Sequence, residues 1–195
     1  EEVTIPLRRP DSRERLMEYS PSGKVPVLVD VDVFVWESMA IVETIAERNP
    51  DRAIWPRDAK ARAHARAISN EMHSGFQALR QACPMHLGAR FATPVLTDSL
   101  QANIDRIEDI WSEARNRFGG NGPYLYGAFT AADAMYLPIV TRFETYGVPV
   151  REATRAYMDT MLAHPAFVEW RTAAFSEEWR IPDYAVGHTL IESYV

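Results

Sequence analysis

The chain has 195 residues, of which 47% are hydrophobic and 25% are charged. This mixture is typical of a globular protein and fits one large domain or two small ones. The formal net charge of −6 argues against nucleic acid or an anionic membrane as the main partner. A single cysteine, Cys83, excludes an internal disulfide bond, and no apolar run approaches the roughly 18 residues that cross a membrane.

The first 49 residues carry the signals of a mixed α/β unit. A β-rich stretch at Glu1–Ile5 predicts a strand, and Asp11 with Glu14 three residues later has the spacing of a helix capping box. Two β-branched and aromatic runs, Val27–Val29 and Val33–Trp36, are separated by a tight turn. They predict an antiparallel hairpin.

The helical signals begin after the hairpin and continue through the rest of the chain. A helical period starts at Ser38 and runs to Arg48. The stretch 50–58 contains two prolines and predicts a linker that ends in a helix cap at Asp58. Everything after the linker is predicted to be helical, so the fold class is α/β followed by all-α. The predicted helices are Ala59–Gln81, Asp98–Phe118, Thr130–Tyr146, Glu152–Ala163 and Pro165–Phe175.

Several kinds of functional site find no support in the sequence. The five histidines are scattered and none stands in a metal-binding motif, so no metal site is predicted. Neither a glycine-rich phosphate loop nor a nucleophile elbow is present. The start of the chain shows no signal-peptide pattern. Together with the single cysteine, this pattern predicts a cytoplasmic protein.

Four short motifs, taken in order, carry a resemblance to a known family. They are Lys24-Val25-Pro26, Glu37-Ser38-Met39-Ala40-Ile41, Trp55-Pro56 and Thr130-Ala131-Ala132-Asp133. With these motifs the chain resembles the glutathione transferase superfamily over nearly its whole length. The resemblance implies a thioredoxin-like glutathione-binding domain over 1–49, a linker over 50–58 and an all-helical domain over 59–195.

The resemblance also implies that the Val25–Pro26 peptide bond is cis and that this segment binds glutathione. Val25 would then pair its backbone N–H and C=O with the cysteinyl part of the ligand, as a neighbouring strand would. Glu37 is a carboxylate suited to the ligand's ammonium group. Ser38 opens a helix whose N–H groups suit the γ-glutamyl carboxylate. Lys24 is a cation suited to the glycine carboxylate.

Plainer interpretations of the same residues stay open. Pro26 is also suited to begin an edge strand, and Ser38 is also a common helix N-cap. Met72 and Phe76 lie on an apolar helical stripe, which either lines a pocket for the second substrate or forms plain core. The Thr130-to-Asp133 motif is structural in both interpretations, because it matches a helix capping box.

The residue that would activate the glutathione thiol is not identified. In the family it is a Ser, Tyr or Cys that follows the first strand, whereas this sequence begins with what resembles the second strand. We therefore expect a leading segment of about two to three dozen residues to be absent, which would leave the thioredoxin-like domain incomplete. Cys83, Ser69, His73 and Ser74 match no catalytic motif, so none is expected to replace it.

Three functional hypotheses follow from the resemblance. The leading one is a glutathione S-transferase that joins the glutathione thiol to a small apolar electrophile. The second is a glutathione-dependent isomerase or thiol reductase on the same fold, and the third is a non-catalytic module that binds glutathione or a partner. The resemblance also implies a homodimer, with neither nucleic acid nor a membrane as partner.

Overall fold

The computed structural model describes residues 1–179, 181, 185 and 187–195. The chain divides into two compact units, Glu1–Ile54 and Trp55–Val195. The first unit contains helices and strands and the second is mainly helical, which confirms the predicted fold class. None of the helices in the described residues combines the length and the apolar character that a membrane crossing requires.

The first unit contains a β-hairpin between two helices. Its elements are α1 (Ser12–Tyr19), β1 (Val27–Asp30), β2 (Val33–Trp36) and α2 (Ser38–Arg48). The strands pair antiparallel, with Val27 opposite Trp36 and Asp30 opposite Val33, as the sequence predicts. The turn holds Val31 at a positive φ of 55° and leaves it 94% exposed, although its sequence lacks the usual glycine.

Two predictions for the start of the chain are wrong. Residues 1–5 form no strand. A strand needs a hydrogen-bonded neighbour, and β1 and β2 pair only with each other in this unit, all of which the structure describes. The capping box expected at Asp11 does not form, since Asp11 has helical backbone angles and makes no side-chain capping bond. Instead, the Ser12 hydroxyl accepts from Arg9 N–H and donates to the Pro6 carbonyl, both at 2.7 Å.

The first unit has little core of its own. Helix α2 has the predicted bounds, and its last turn is joined to the hairpin by an ion pair of 2.6 Å between Arg48 Nη1 and Asp30 Oδ2. Among residues 1–54, all of which the structure describes, Leu16 is the only apolar residue that is buried. The hairpin side chains are half-buried or exposed.

The second unit packs six helices, within the described residues, beside a short two-stranded sheet. Its elements are α3 (Ala59–Ser74), α4 (Gln77–Ala82), β3 (Ala89–Phe91), α5 (Asp98–Phe118), α6 (Ala131–Thr145), α7 (Glu152–Leu162), α8 (Pro165–Ser176) and β4 (Leu190–Ser193). Asp58 caps α3 as predicted, because its Oδ1 accepts from Ala61 N–H at 2.8 Å. The bounds of α5 agree with the prediction, and those of α6, α7 and α8 differ from it by a single residue at most at each end.

The prediction of one long helix over Ala59–Gln81 is wrong in one respect. The structure has two helices there, which are separated by Gly75 and Phe76. Phe76 has left-handed backbone angles, φ 60° and ψ 43°. The side chain of Arg80 caps the end of α3, with Nη2 donating to the Met72 carbonyl at 2.7 Å and Nε to the Gly75 carbonyl at 2.9 Å. Carbonyls at a helix end lack partners within the helix, so Arg80 satisfies the acceptors that the break leaves.

The β3–β4 sheet contradicts the prediction that everything after the linker is helical. Its strands are antiparallel, with Ala89 opposite Ser193 and Arg90 opposite Glu192. A backbone hydrogen bond of 2.9 Å from Tyr194 N–H to the Gly88 carbonyl extends the pairing. Strand β3 has only three residues, which is too short for an alternating pattern to stand out in the sequence.

The core of the second unit contains a cluster of buried aromatic rings around Trp111. The Trp111 ring lies 4.8 Å from that of Tyr157, 5.7 Å from that of Tyr136 and 6.0 Å from that of Phe143. All four residues are buried. Aromatic pairs in such geometries each contribute about 0.5–1.5 kcal/mol beyond the burial of their area. These contacts hold α5, α6 and α7 together.

The buried carboxylate of Asp133 joins α6 to its neighbours. Oδ2 accepts from the backbone N–H of Thr130 at 2.9 Å and from its hydroxyl at 3.1 Å, in the predicted capping box. Oδ1 accepts from Leu125 N–H at 3.0 Å and from the Tyr157 hydroxyl at 3.1 Å. Burial raises the pKa of this carboxyl, and the four hydrogen bonds act in the opposite direction. Four donors therefore converge on one side chain.

Replacing Asp133 with Ala should lower the free energy of unfolding by at least about 3 kcal/mol. Leu125 N–H, Thr130 N–H and the Tyr157 hydroxyl would lose their acceptor, and each unsatisfied buried group costs about 1–3 kcal/mol. Urea unfolding followed by circular dichroism measures the loss. The control is Asp98→Ala in the exposed first turn of α5, which should lose no more than about 1 kcal/mol. Equal small losses would contradict the structural role of Asp133.

Candidate functional site

The register of the β1–β2 hairpin brings the two predicted halves of the site to one end of the hairpin. Val27 lies opposite Trp36 at this end. In an antiparallel pair, the residues just before Val27 and just after Trp36 therefore lie side by side. The Val25–Pro26 peptide bond is cis, as the resemblance implied. The predicted site residues that meet here are Val25, Pro26, Glu37 and Ser38.

Glu37 joins β2 to α2 in an unusual backbone conformation. Its angles, φ 70° and ψ 126°, lie where residues other than glycine are rare, and such a conformation costs on the order of 1–3 kcal/mol. Its carbonyl accepts from Ile41 N–H at 3.0 Å, which begins α2. Its side chain is exposed and makes no capping bond. Strained residues of this kind cluster at functional sites, so the joint supports a functional role.

Ser38 is the first helical residue of α2, and the N-cap is Glu37. The interpretation of Ser38 as a simple N-cap is therefore wrong. The N–H groups of Ser38, Met39 and Ala40 precede the first helical hydrogen bond, so they have no acceptor within the helix. The first turn, which is described in full, carries no acidic side chain. The helix start thus offers N–H donors and a positive potential to an anion.

Lys24 and Val25 lie on the segment before the hairpin. Two serine hydroxyls fix the backbone of this segment. The backbone N–H of Lys24 lies 3.2 Å from Ser20 Oγ and 3.3 Å from Ser22 Oγ, and the two hydroxyls are 3.0 Å apart. Lys24 is exposed, and Val25 is 52% exposed. Both residues line a cavity of about 480 Å³ whose other walls come from residues 1–5, α1 and β1. This segment is therefore accessible to a ligand.

Met72 and Phe76, the candidates for a second-substrate pocket, lie in the second unit. Met72 is in the last turns of α3, and Phe76 is at the break before α4. They are 4% and 7% exposed. Burial of this extent fits plain core and also fits the floor of a pocket, so their role stays a prediction.

Two of the four side chains that could replace the catalytic residue, Cys83 and Ser69, are closed off from solvent. Cys83 is fully buried, and burial raises the pKa of its thiol to about 12. Ser69 is also fully buried, whereas His73 and Ser74 are exposed. A thiol with so high a pKa is protonated at neutral pH and is a poor nucleophile. In the described part of the chain, no group of three or more His, Cys, Asp or Glu side chains is arranged to hold a metal ion.

Comparison with family models assigns the chain to a family. A model described as the C-terminal domain of glutathione S-transferase matches residues 63–173, which is more than half of the chain. The chain belongs to the glutathione S-transferase family. A second model, described as the N-terminal domain of glutathione S-transferase, matches residues 1–48. The resemblance that the four sequence motifs indicated is thereby confirmed.

Relatives of this glutathione S-transferase family member carry different names. A "Probable maleylacetoacetate isomerase" from Caenorhabditis elegans is 35% identical over 107 residues, which cover 51% of this chain and 50% of the relative. The chain thus spans about half the length of that relative. A "Stringent starvation protein A homolog" from Histophilus somni is 22% identical over 160 residues, which cover 80% of this chain and 71% of the relative.

The fold recurs in a solved structure of a glutathione transferase homologue from Burkholderia, which contains bound glutathione. The two structures superpose with a TM-score of 0.59, and the match covers 80% of this chain and 77% of the homologue. Because the sequences are only 22% identical, the likeness shows a shared fold and nothing further.

Cys83 should resist thiol reagents while the protein is folded. A pKa of about 12 leaves roughly one thiol in ten thousand ionised at pH 8. With an aromatic disulfide reagent at pH 8, labelling should be at least about a hundredfold slower in buffer than in concentrated urea, because only the thiolate attacks. The chain has one cysteine, so absorbance reports this residue alone. Equally fast labelling of the folded protein would contradict its assignment as an inert core residue.

Proposed function

We propose that the protein is a glutathione S-transferase that joins the thiol of glutathione to a small apolar electrophile. The observation that carries the proposal is the hairpin end at which Val25, Pro26, Glu37 and Ser38 meet in a chain of this family. The matches to both glutathione S-transferase domain models support glutathione as the co-substrate, and the Burkholderia homologue of the same fold contains glutathione. In the reaction, the glutathione thiol first loses its proton to solvent. The thiolate sulfur then bonds to the electrophilic carbon while the leaving group departs with its bonding electrons.

The residues at the hairpin end complement each charged group of glutathione. The helix start at Ser38 binds the γ-glutamyl carboxylate through its N–H groups and the positive end of the helix dipole. The Glu37 carboxylate binds the ammonium group through a charge-assisted hydrogen bond. Lys24 binds the glycine carboxylate, and the main chain of Val25 pairs with the cysteinyl residue as a strand would. Pro26 fixes the direction in which that main chain points.

The group that activates the thiol is proposed to lie in the leading segment that the family resemblance implies. A free thiol with a pKa of about 8.5 is only a few per cent ionised at neutral pH, so activation is required. Cys83 does not supply it, because it is buried and protonated. We retain Met72 and Phe76 as the proposed apolar lining of the electrophile site.

A glutathione-dependent isomerase is the second candidate. The observation that favours it is the 35% identity over 107 residues to the relative named "Probable maleylacetoacetate isomerase". In such a reaction the thiol is returned unchanged, so the same glutathione-binding residues serve both activities. Thiol reduction and binding without catalysis use these residues as well, and they are outcomes of the test below.

Replacing Glu37 with Ala should raise the dissociation constant for glutathione by about tenfold to a hundredfold, because a charged hydrogen bond contributes about 1.5–3 kcal/mol. Calorimetry on the intact protein measures this change. The matched control is Glu47→Ala, an exposed carboxylate near the other end of α2. Solvent and salt screen the charge of a residue at the far end of the helix, so Glu47→Ala should change the dissociation constant for glutathione by no more than about twofold. Unchanged affinity in the Glu37 variant would remove this residue from the site.

The same variants separate the proposed activities. With the leading segment present, the unaltered protein should form a thioether from glutathione and a chlorodinitrobenzene. In the same form of the protein, Glu37→Ala should lower kcat/KM by a factor close to the loss of affinity. Isomerisation of maleylacetoacetate without thioether formation would replace the transferase by the second candidate. Reduction of a mixed disulfide alone would identify a thiol reductase. Glutathione binding without any of these reactions would identify a binding module.

We further propose that two copies form a homodimer. The family resemblance motivates the proposal, and the first unit supports it by leaving Phe34 and Trp36 39% and 42% exposed. A specific interface should bury at least about 1,000 Å². Sedimentation at micromolar concentration should therefore give twice the chain mass of 22.2 kDa. A stable monomer at that concentration would contradict the proposal.

A further inference from the structure

A separate cavity of about 260 Å³ lies within the second unit, between α6, α8 and the β3–β4 sheet. Its apolar wall is built by Leu87, Leu162, Phe167 and Phe175. The ring of Phe175 lies 5.9 Å from that of Tyr194, so two aromatic side chains flank one side. None of these residues belongs to the hairpin end that is proposed to bind glutathione. The cavity is therefore a distinct candidate site.

Two arginines from different elements line this cavity. Arg90 comes from β3, and Arg171 comes from α8. Among the described residues, neither has a carboxylate within 4.0 Å. The Cζ atom of Arg171 lies 5.4 Å from the centre of the Phe167 ring, so the guanidinium group packs against an aromatic face. Two guanidinium groups thus line one cavity, and no carboxylate of the described residues forms an ion pair with either.

The acidic side chains closest to the cavity have other partners. Glu144 lines the cavity, but its Oε2 accepts from Arg155 Nη1 at 2.7 Å. Glu192 is the register partner of Arg90, yet its Oε2 accepts from the Tyr194 hydroxyl at 3.3 Å. Arg155 is shared between Glu144 and Asp159, and a tyrosine hydroxyl leaves the charge of Glu192 in place. The surroundings of the cavity therefore carry both signs of charge, and what the cavity offers an anion is the two arginines that no described carboxylate pairs with.

We propose that this cavity binds a small organic acid, with its carboxylate between Arg90 and Arg171 and its apolar body against the phenylalanine rings. Guanidinium groups match the planar geometry of a carboxylate and hold it by charge-assisted hydrogen bonds. A few polar groups that converge over an apolar wall are typical of small-molecule sites. A volume of about 260 Å³ is just below the usual range of about 300–1,000 Å³, so a ligand with one ring fits best.

The test compares a matched pair of probes on the full chain by calorimetry. 3-Phenylpropionate should bind, and 3-phenylpropanamide, which has the same shape without the charge, should bind at least about tenfold more weakly, because the charge-assisted bonds are lost. Arg90→Gln and Arg171→Gln should each weaken binding of the acid by about tenfold and leave binding of the amide unchanged. The control is Lys60→Gln, which removes one exposed cation from α3 and should have no effect.

Two further measurements fix the position of the probe. In the unaltered protein, 3-phenylpropionate should shift the NMR signals of Ala89, Thr145 and Phe175 and should leave those of Glu37 and Ser38 in place. Saturating glutathione should not displace it, whichever function the hairpin end performs. Equal binding of acid and amide, equal losses in the Lys60 variant, or displacement by glutathione would each overturn the proposal.

Discussion

The pairing of Val27 with Trp36 is the contact on which the candidate glutathione site depends. Neither Val25–Pro26 nor Glu37–Ser38 forms a site alone, and the hairpin register brings the two segments together. A slip of the register by one residue would turn every side chain of a strand to the other face and would separate the segments. The strands are only four residues each, so the register depends strongly on the tight turn at Val31.

The two units contrast in how much core supports them. The second unit has a buried aromatic cluster around Trp111 and a carboxylate, Asp133, that accepts four hydrogen bonds. The first unit, described throughout, buries one apolar residue, Leu16. Regions with few buried apolar contacts open locally at low free energy. Within residues 1–54 as described, the site residues therefore stand on the part of the chain with the fewest buried apolar side chains.

The sequence predicts those features whose signals are local. Helices α2 and α5 were predicted with their observed bounds, because an apolar period and a clear start define each of them. The break at Gly75 has a local signal too, since glycine often ends a helix, but the apolar spacing of Met72 and Phe76 favoured continuation. The β3–β4 pairing could not be predicted, because it joins three residues to a distant strand.

The site was predicted less from residue physics than from the family resemblance, and Glu37 shows why. A joint between a strand and a helix that served structure alone would favour Ser, Thr, Asp, Asn or Gly, which cap the helix or tolerate an unusual backbone. Glu37 does neither: its side chain makes no capping bond, and its backbone is strained by on the order of 1–3 kcal/mol. Local rules therefore disfavour a glutamate at this joint. The proposed contact with the ammonium group of glutathione accounts for a carboxylate at this position.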